Sequence, residues 1–255
     1  MPDVLYEVKE DIALVRLNRP EQRNALSEAL VAELTQVLQG ADADKAVRVI
    51  LLSGEGKHFC AGGDFKDFIG HFGKSLDELY ETIAPSMELF KLASTLRTPV
   101  VAAVKGAAMG GGMGLVALAH LAIAADSAKL GLPEVTLGLF PFAIFPLIAR
   151  SVGLKKALEL SLTARTLSAQ QARELGLVYE VVEEERLEDA AWELAKSLAQ
   201  KSPLAVRTGL ELYNRMGRPD DSLFEQAGLL RLLTFKSDAL KDAIERFLAQ
   251  KGKGS

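Results

Sequence analysis

Cysteine is almost absent from this 255-residue chain: Cys60 stands alone, so no disulfide can form within it. That suits a reducing compartment, and a cytoplasmic location is expected. Histidine is scarce too. His58, His71 and His120 lie far apart, and neither HExxH nor CxxC occurs, which leaves no metal-binding spacing. GxSxG and phosphate-binding GxxxxGK[ST] are also missing. Excess positive charge is lacking: 30 Lys and Arg against 34 Asp and Glu give a net charge of −4. Nucleic-acid binding needs a basic face, so that class is set aside. The opening MPDVLYEVKED carries acids and no apolar h-region, so a signal peptide is not expected. The longest apolar run, Ala107 to Ala125, is broken by four glycines and His120. It reads as a buried helix followed by a buried strand rather than a membrane span.

What is present is ordinary globular material, 49% hydrophobic and 25% charged, enough to bury a full core. Ile12 to Leu17, Val47 to Leu52, Val100 to Val104, Leu121 to Ala125 and Leu177 to Val182 read as strands. Apart from Arg48, the second to fourth of these are continuously apolar, as in a sheet covered on both faces. Helices fall between them. One is capped by Ser27 and stopped at Gly40, one runs over Leu76 to Leu96 with a kink or break at Pro85, and two cover Phe142 to Ser151 and Lys155 to Thr163. Another covers Ala169 to Leu175 behind Ser168. After Glu183 only helical patterns remain, over Arg186 to Gln200, Pro203 to Arg215, Ser222 to Thr234 and Asp238 to Gln250. The fold class is therefore α/β with a helical C-terminal region. The boundary is placed near Lys201-Ser202-Pro203, which gives a core over residues 1–200 and a helical part over 201–255.

Two glycine-rich elements stand out. Phe59-Cys60-Ala61-Gly62-Gly63-Asp64 and Gly110-Gly111-Gly112-Met113-Gly114 each follow a strand and each opens a helix. Helix entrances carry unpaired N–H groups, and glycine lets a ligand approach them closely. Gly63 and Gly111 are the expected donors; converging on one oxygen they would make an oxyanion hole. Glu134, in the apolar segment LGLPEVTLGLF, is the expected acid/base, in an extended or turn conformation after Pro133. Desolvation there should raise its pKa toward neutrality. Cys60 reads as a packed residue, Asp64 as the cap of the helix from Phe65, and Phe140, Phe142 and Phe145 as an apolar pocket wall. Gly112-Met-Gly114-Leu-Val-Ala117 also matches the GxGxxA dinucleotide pattern. Its first downstream acid, Asp126, comes too early to bind a ribose.

With those motifs in that order, the chain resembles the crotonase superfamily, the enoyl-CoA hydratase/isomerase family, over nearly its whole length. NRPEQRNALS, FCAGGD, KGAAMGGGMGL, LGLPEVTLGLFP and LTARTLSAQQARELGLVYEVV carry the resemblance. It implies a crotonase-like spiral of ββα units whose helical C-terminal region assembles homotrimers or homohexamers. It implies an acyl-CoA thioester as substrate, with no separate cofactor, no nucleic acid and no membrane partner. It places Gln22, Arg23, Ala61 and Gly62 along the CoA, with Lys251 or Lys253 near a CoA phosphate. Gly63 and Gly111 would hold the thioester oxygen, and Glu134 would move the proton. Two departures matter: Gly114 stands where two-glutamate hydratases carry their first glutamate, and bulky Phe142-Ala143-Ile144-Phe145 replaces a glycine-rich stretch. The implied activity is hydration of a 2-enoyl-CoA. Δ3,Δ2-enoyl-CoA isomerisation by the same glutamate is the alternative, and a non-catalytic acyl-CoA-binding scaffold the second.

Overall fold

The computed structural model describes residues 1–217 and 221–251. Its strands, in chain order, are β1 (Val4–Lys9), β2 (Ile12–Leu17), β3 (Val49–Gly54), β4 (Val100–Val104), β5 (Ala107–Met109), β6 (Leu121–Ala125), β7 (Lys129–Gly131), β8 (Leu167–Ser168) and β9 (Glu180–Val182). The helices are α1 (Glu28–Ala43), α2 (Phe65–His71), α3 (Leu76–Lys91), α4 (Gly111–Leu118), α5 (Phe145–Val152), α6 (Leu154–Thr163), α7 (Ala169–Glu174), α8 (Leu187–Ala199), α9 (Pro203–Gly217), α10 (Asp221–Phe235) and α11 (Asp238–Lys251). Strand order in the main sheet is β1-β2-β3-β4-β6-β9, parallel except for the β1–β2 hairpin. A small second sheet has the order β5-β7-β8.

The continuous apolar run of β3 is explained by two cores. Ile50 and Leu52 point into one with Leu30, Leu34 and Leu38 of α1. Val49 and Leu51 point into the other, against Leu187, Ala191 and Ala195 of α8. Each fully buried aliphatic side chain of this kind contributes about 1.5–3 kcal/mol. A third cluster joins Leu79 and Ile83 of α3 to Leu139, to Leu232 and Phe235 of α10, and to Leu240 and Ile244 of α11. The C-terminal helices thus pack on the segment that carries Glu134 and on α3.

Several local expectations need correction. α1 runs through Gly40 to Ala43, because buried Ala41 repays the ~1 kcal/mol helix cost of glycine. α3 contains Pro85 without interruption; its buried residues Leu79, Ile83, Met87, Leu89 and Phe90 hold it in place. The strand expected from Leu177 is confined to Glu180–Val182, and the helix expected from Phe142 begins at Phe145. β1, β5, β7 and β8 went unread in the sequence: β1 is an edge strand buried only at Val4, and the others are two or three residues long. Among the described residues no helix is long and apolar enough to cross a membrane. Lys253 and the side chain of Lys251 fall outside the described residues.

Candidate active site

The two glycine elements meet through backbone hydrogen bonds. Cys60 N–H donates to the Ala107 carbonyl and Met109 N–H to the Cys60 carbonyl, each at 3.0 Å. A β-carbon on Gly112 would stand 2.2 Å from the Cys60 oxygen, and one on Gly62, where φ is +95°, would stand 2.8 Å from the Met109 oxygen. Only glycine permits that contact. The same hypothetical carbon on Gly62 lies 3.6 Å from the Gly111 nitrogen, so the second element is immediately beside the first. Gly111 is the first residue of α4; Gly63 precedes Asp64, whose side chain caps α2 by accepting from Lys66 N–H. Among the described residues neither the Gly63 nor the Gly111 N–H donates a hydrogen bond. Both line one cavity of about 120 Å³.

Glu134 lines the same cavity. It sits in a 3₁₀ turn, Pro133–Leu137, rather than in extended chain. Proline's fixed φ suits the first position of a helical turn, which is why the turn, of the two conformations expected after Pro133, is the one that forms. Glu134 Oε1 lies 2.8 Å from where a β-carbon on Gly110 would be, and Gly110 holds φ +52°. Gly110 N–H donates to the Gly131 carbonyl at 2.8 Å, tying this element to β7. Glu134 as a residue is half-buried, yet its Oε2 is shielded from solvent and has no hydrogen-bond partner among the described residues. Burial therefore pushes its carboxyl up to about 7; its own backbone N–H and the Arg231 charge pull the other way, but less.

The rest of the wall is largely apolar, with Leu26, Phe68, Phe90, Leu139, Ala143 and Ile144 prominent. The three phenylalanines expected there are instead packed on one another, Phe140 lying 5.3 Å from Phe142 and 5.1 Å from Phe145 between ring centroids. Gly114 explains why no second carboxylate could be accommodated. A β-carbon there would stand 2.3 Å from Ile144 Cγ2 and 2.9 Å from Phe90 Cε1. Ile144 fills the space that a longer side chain at 114 would use. Gly114→Ala should therefore destabilise the fold by about 1–3 kcal/mol through overpacking. Thermal unfolding checks this; an unchanged melting temperature would mean that Ile144 gives way freely.

The expected CoA-contacting residues lie along one rim. Gln22 ends a 3₁₀ turn, Arg23 follows it at φ +53°, and both are exposed. Ala61 N–H donates to the Arg23 carbonyl at 2.9 Å, and Leu26 N–H to the Gly62 carbonyl at 2.7 Å, which sets the two segments side by side. Asn24, fully buried, anchors the rim: its Nδ2 donates to the Glu55 and His58 carbonyls, and its Oδ1 accepts from Arg19 N–H. Arg19 also pairs with Asp64 at 2.9 Å. Neither role could be read from spacing alone. Also missed were Arg231 of α10 and Ser86 of α3, which line the cavity from positions 145 residues apart.

The remaining candidates are structural. Cys60 is buried, and desolvation pushes its thiol up to about 12. His58 Nδ1 accepts from Ala107 N–H at 3.2 Å and so braces β5. His120 lies just past α4, where its Nδ1 accepts from Val100 N–H; burial first, and Arg150 second, push its pKa down to about 4. Gly112 and Gly114 face the Cys60 carbonyl and Ile144, which leaves no approach for the pyrophosphate that a GxGxxA loop would bind.

Two unpaired backbone donors and a desolvated carboxyl around one apolar cavity, on a parallel α/β core, make an acid/base site suited to carbonyl chemistry. Comparison with known proteins gives the class its family: the model for Enoyl-CoA hydratase/isomerase matches residues 7–252, and the chain belongs to that family of enzymes. It is 34% identical to a probable enoyl-CoA hydratase of Bacillus subtilis (strain 168), over 98% of this chain and 97% of that protein. It is 38% identical to a probable enoyl-CoA hydratase of Rhizobium meliloti (strain 1021), over 83% and 81%. A crystal structure of an enoyl-CoA hydratase/isomerase from Mycobacterium paratuberculosis superposes with a TM-score of 0.90 at 27% identity, covering 96% of this chain and 98% of that one.

Proposed function

We propose that this enzyme adds water to a 2-enoyl-CoA, and eliminates it in reverse, through a thioester enolate. The observation that carries this is the pair of unengaged N–H groups, Gly63 and Gly111, in one cavity with Glu134. Those N–H groups donate hydrogen bonds to the thioester oxygen as negative charge grows on it. Glu134 takes a proton from water as the water oxygen bonds to C3, and delivers that proton to C2 as the enolate collapses. Water's two hydrogens thus end on the C3 hydroxyl and on C2, and Glu134 is returned to its starting state. Gln22, Arg23, Ala61 and Gly62 run along the CoA, which is the only cofactor-like group required.

One observation favours a second reading. Ile144 seated against Gly114, with Phe90 beside it, leaves the site apolar where a second water-holding group would stand. A drier pocket suits Δ3,Δ2 isomerisation, in which Glu134 takes a proton from C2 of a 3-enoyl-CoA and returns it at C4.

A paired assay in D₂O with a 2-enoyl-CoA and its 3-enoyl isomer, read by mass, separates the two. Gain of one water by the 2-enoyl ester is the expected result. Double-bond migration without added water would replace hydration by isomerisation. A homotrimer or homohexamer is proposed as well, supported by exposed Leu204, Leu212, Met216, Leu229 and Leu233 on α9 and α10. A cytoplasmic site of action is supported by the free, buried Cys60 thiol.

A further inference from the structure

Three side chains with polar groups line the cavity, Ser86, Glu134 and Arg231, and the hydration mechanism uses only Glu134. Ser86 is already committed: its Oγ donates to the Ile83 carbonyl at 2.7 Å and accepts from Arg231 Nη1 at 2.5 Å. Arg231 is not. That bond to Ser86 is its only hydrogen bond among the described residues. Its guanidinium carbon lies 5.7 Å from the centre of the Phe235 ring, which orients it without satisfying its N–H groups. Arg231 is half-buried at the cavity wall, where a cation costs more to leave unpaired than it would in open water. Burial is the main influence on its pKa, pulling it down to about 10, and Glu134 is the one charge that opposes this. A carboxyl that titrates near neutrality is only a part-time counter-ion.

We infer that Arg231, held by Ser86 and Phe235, is the receptor for a carboxylate on the acyl group of the substrate. The substrate is then the CoA monothioester of an unsaturated dicarboxylic acid rather than of a plain fatty acid. A guanidinium presents paired donors in a plane, the geometry that a carboxylate's two oxygens match. The thioester end of the same acyl chain lies at Gly63 and Gly111, so the two ends are recognised by different groups in one cavity. This inference deepens the hydratase reading and rests on it for the site, but not for the chemistry.

The test compares matched saturated esters, glutaryl-CoA with pentanoyl-CoA and adipyl-CoA with hexanoyl-CoA, by calorimetry. The wild-type protein should bind the better-fitting diacid ester roughly 10²-fold more tightly than its methyl-ended partner. Arg231→Met should erase that preference while changing binding of the methyl-ended ester by no more than a few-fold. Arg231→Lys, which keeps the charge but loses the planar pair of donors, should recover part of it. A wild-type preference for the methyl-ended ester in both pairs overturns the inference. So does an equal loss of both esters in folded Arg231→Met, since Arg231 would then only tether α10 to α3. Hydration of the corresponding enoyl esters is assayed alongside. Selectivity without hydration would sink the proposed reaction and leave the receptor; hydration without selectivity would do the reverse.

Discussion

Glu134→Gln should lower kcat for the enoyl-CoA by roughly 10³- to 10⁴-fold, at the upper end for a positioned acid/base, because in the proposed mechanism one carboxyl serves both proton steps. Affinity for a saturated CoA ester changes little, since the amide keeps the shape of the side chain. Steady-state kinetics and ester binding measured on one preparation decide it; turnover near wild type would remove Glu134 from the mechanism. With the carboxyl at about 7 in the folded protein, kcat/KM for hydration should fall tenfold per unit as pH drops below that value, because the ionised form must accept the proton.

The same substitution has an opposite effect on stability. The folded pKa lies above the ordinary 4.5, so between about pH 4.5 and 7 the folded chain holds a proton that the unfolded chain has lost. Stability drains away as pH rises through that window, and the full cost, about 3 kcal/mol, applies above it. Glutamine carries no such cost. The melting temperature of Glu134→Gln should therefore exceed that of wild type at pH 8 by more than it does at pH 5. A gap that is independent of pH would show that the carboxyl is not desolvated as its surroundings imply.

Gly111→Pro removes one of the two proposed oxyanion donors outright. Gly111 is the first residue of α4, where proline is accommodated, so the helix should survive. The added atoms press on Leu26, whose Cδ1 would lie 2.6 Å from a new β-carbon. Gly111→Ala brings the same contact but keeps the N–H, and is the proper reference. Relative to it, the proline variant should lose about 10²- to 10³-fold in kcat. Equal rates for the two would mean that the Gly111 N–H does not meet the thioester oxygen.

The parts of the site that were legible in the sequence are those made of local chemistry. Glycine is required where a backbone passes within van der Waals range of another, as at Gly62 and Gly112, or of a side chain that must come close, as at Gly110 beside Glu134. An apolar neighbourhood around Glu134 was visible in its flanking leucines, and its raised pKa followed. The buried strands announced themselves because β3 has a core on each face. Arg231 and Ser86 were invisible for the opposite reason. Ser86 sits on an amphipathic helix where a polar residue reads as solvent-facing, α10 has no apolar stripe to say which way Arg231 faces, and only the docking of α10 on α3 brings the two together. The phenylalanines misled because a turn's register, not its composition, decides which side chains reach a cavity; there Ala143 and Ile144 do.

The docking of α10 and α11 over the glutamate turn also sets an order of events during synthesis. The glycine donors and Glu134 are encoded in the first 134 residues, and the main sheet is finished at Val182. Leu232, Phe235, Leu240 and Ile244, which pack against Leu139, come off the ribosome after all of these. Before they seat, Glu134 lacks part of the apolar cover that raises its pKa in the folded chain. On the proposed mechanism, a growing chain should be silent toward thioesters until the C-terminal helices seat.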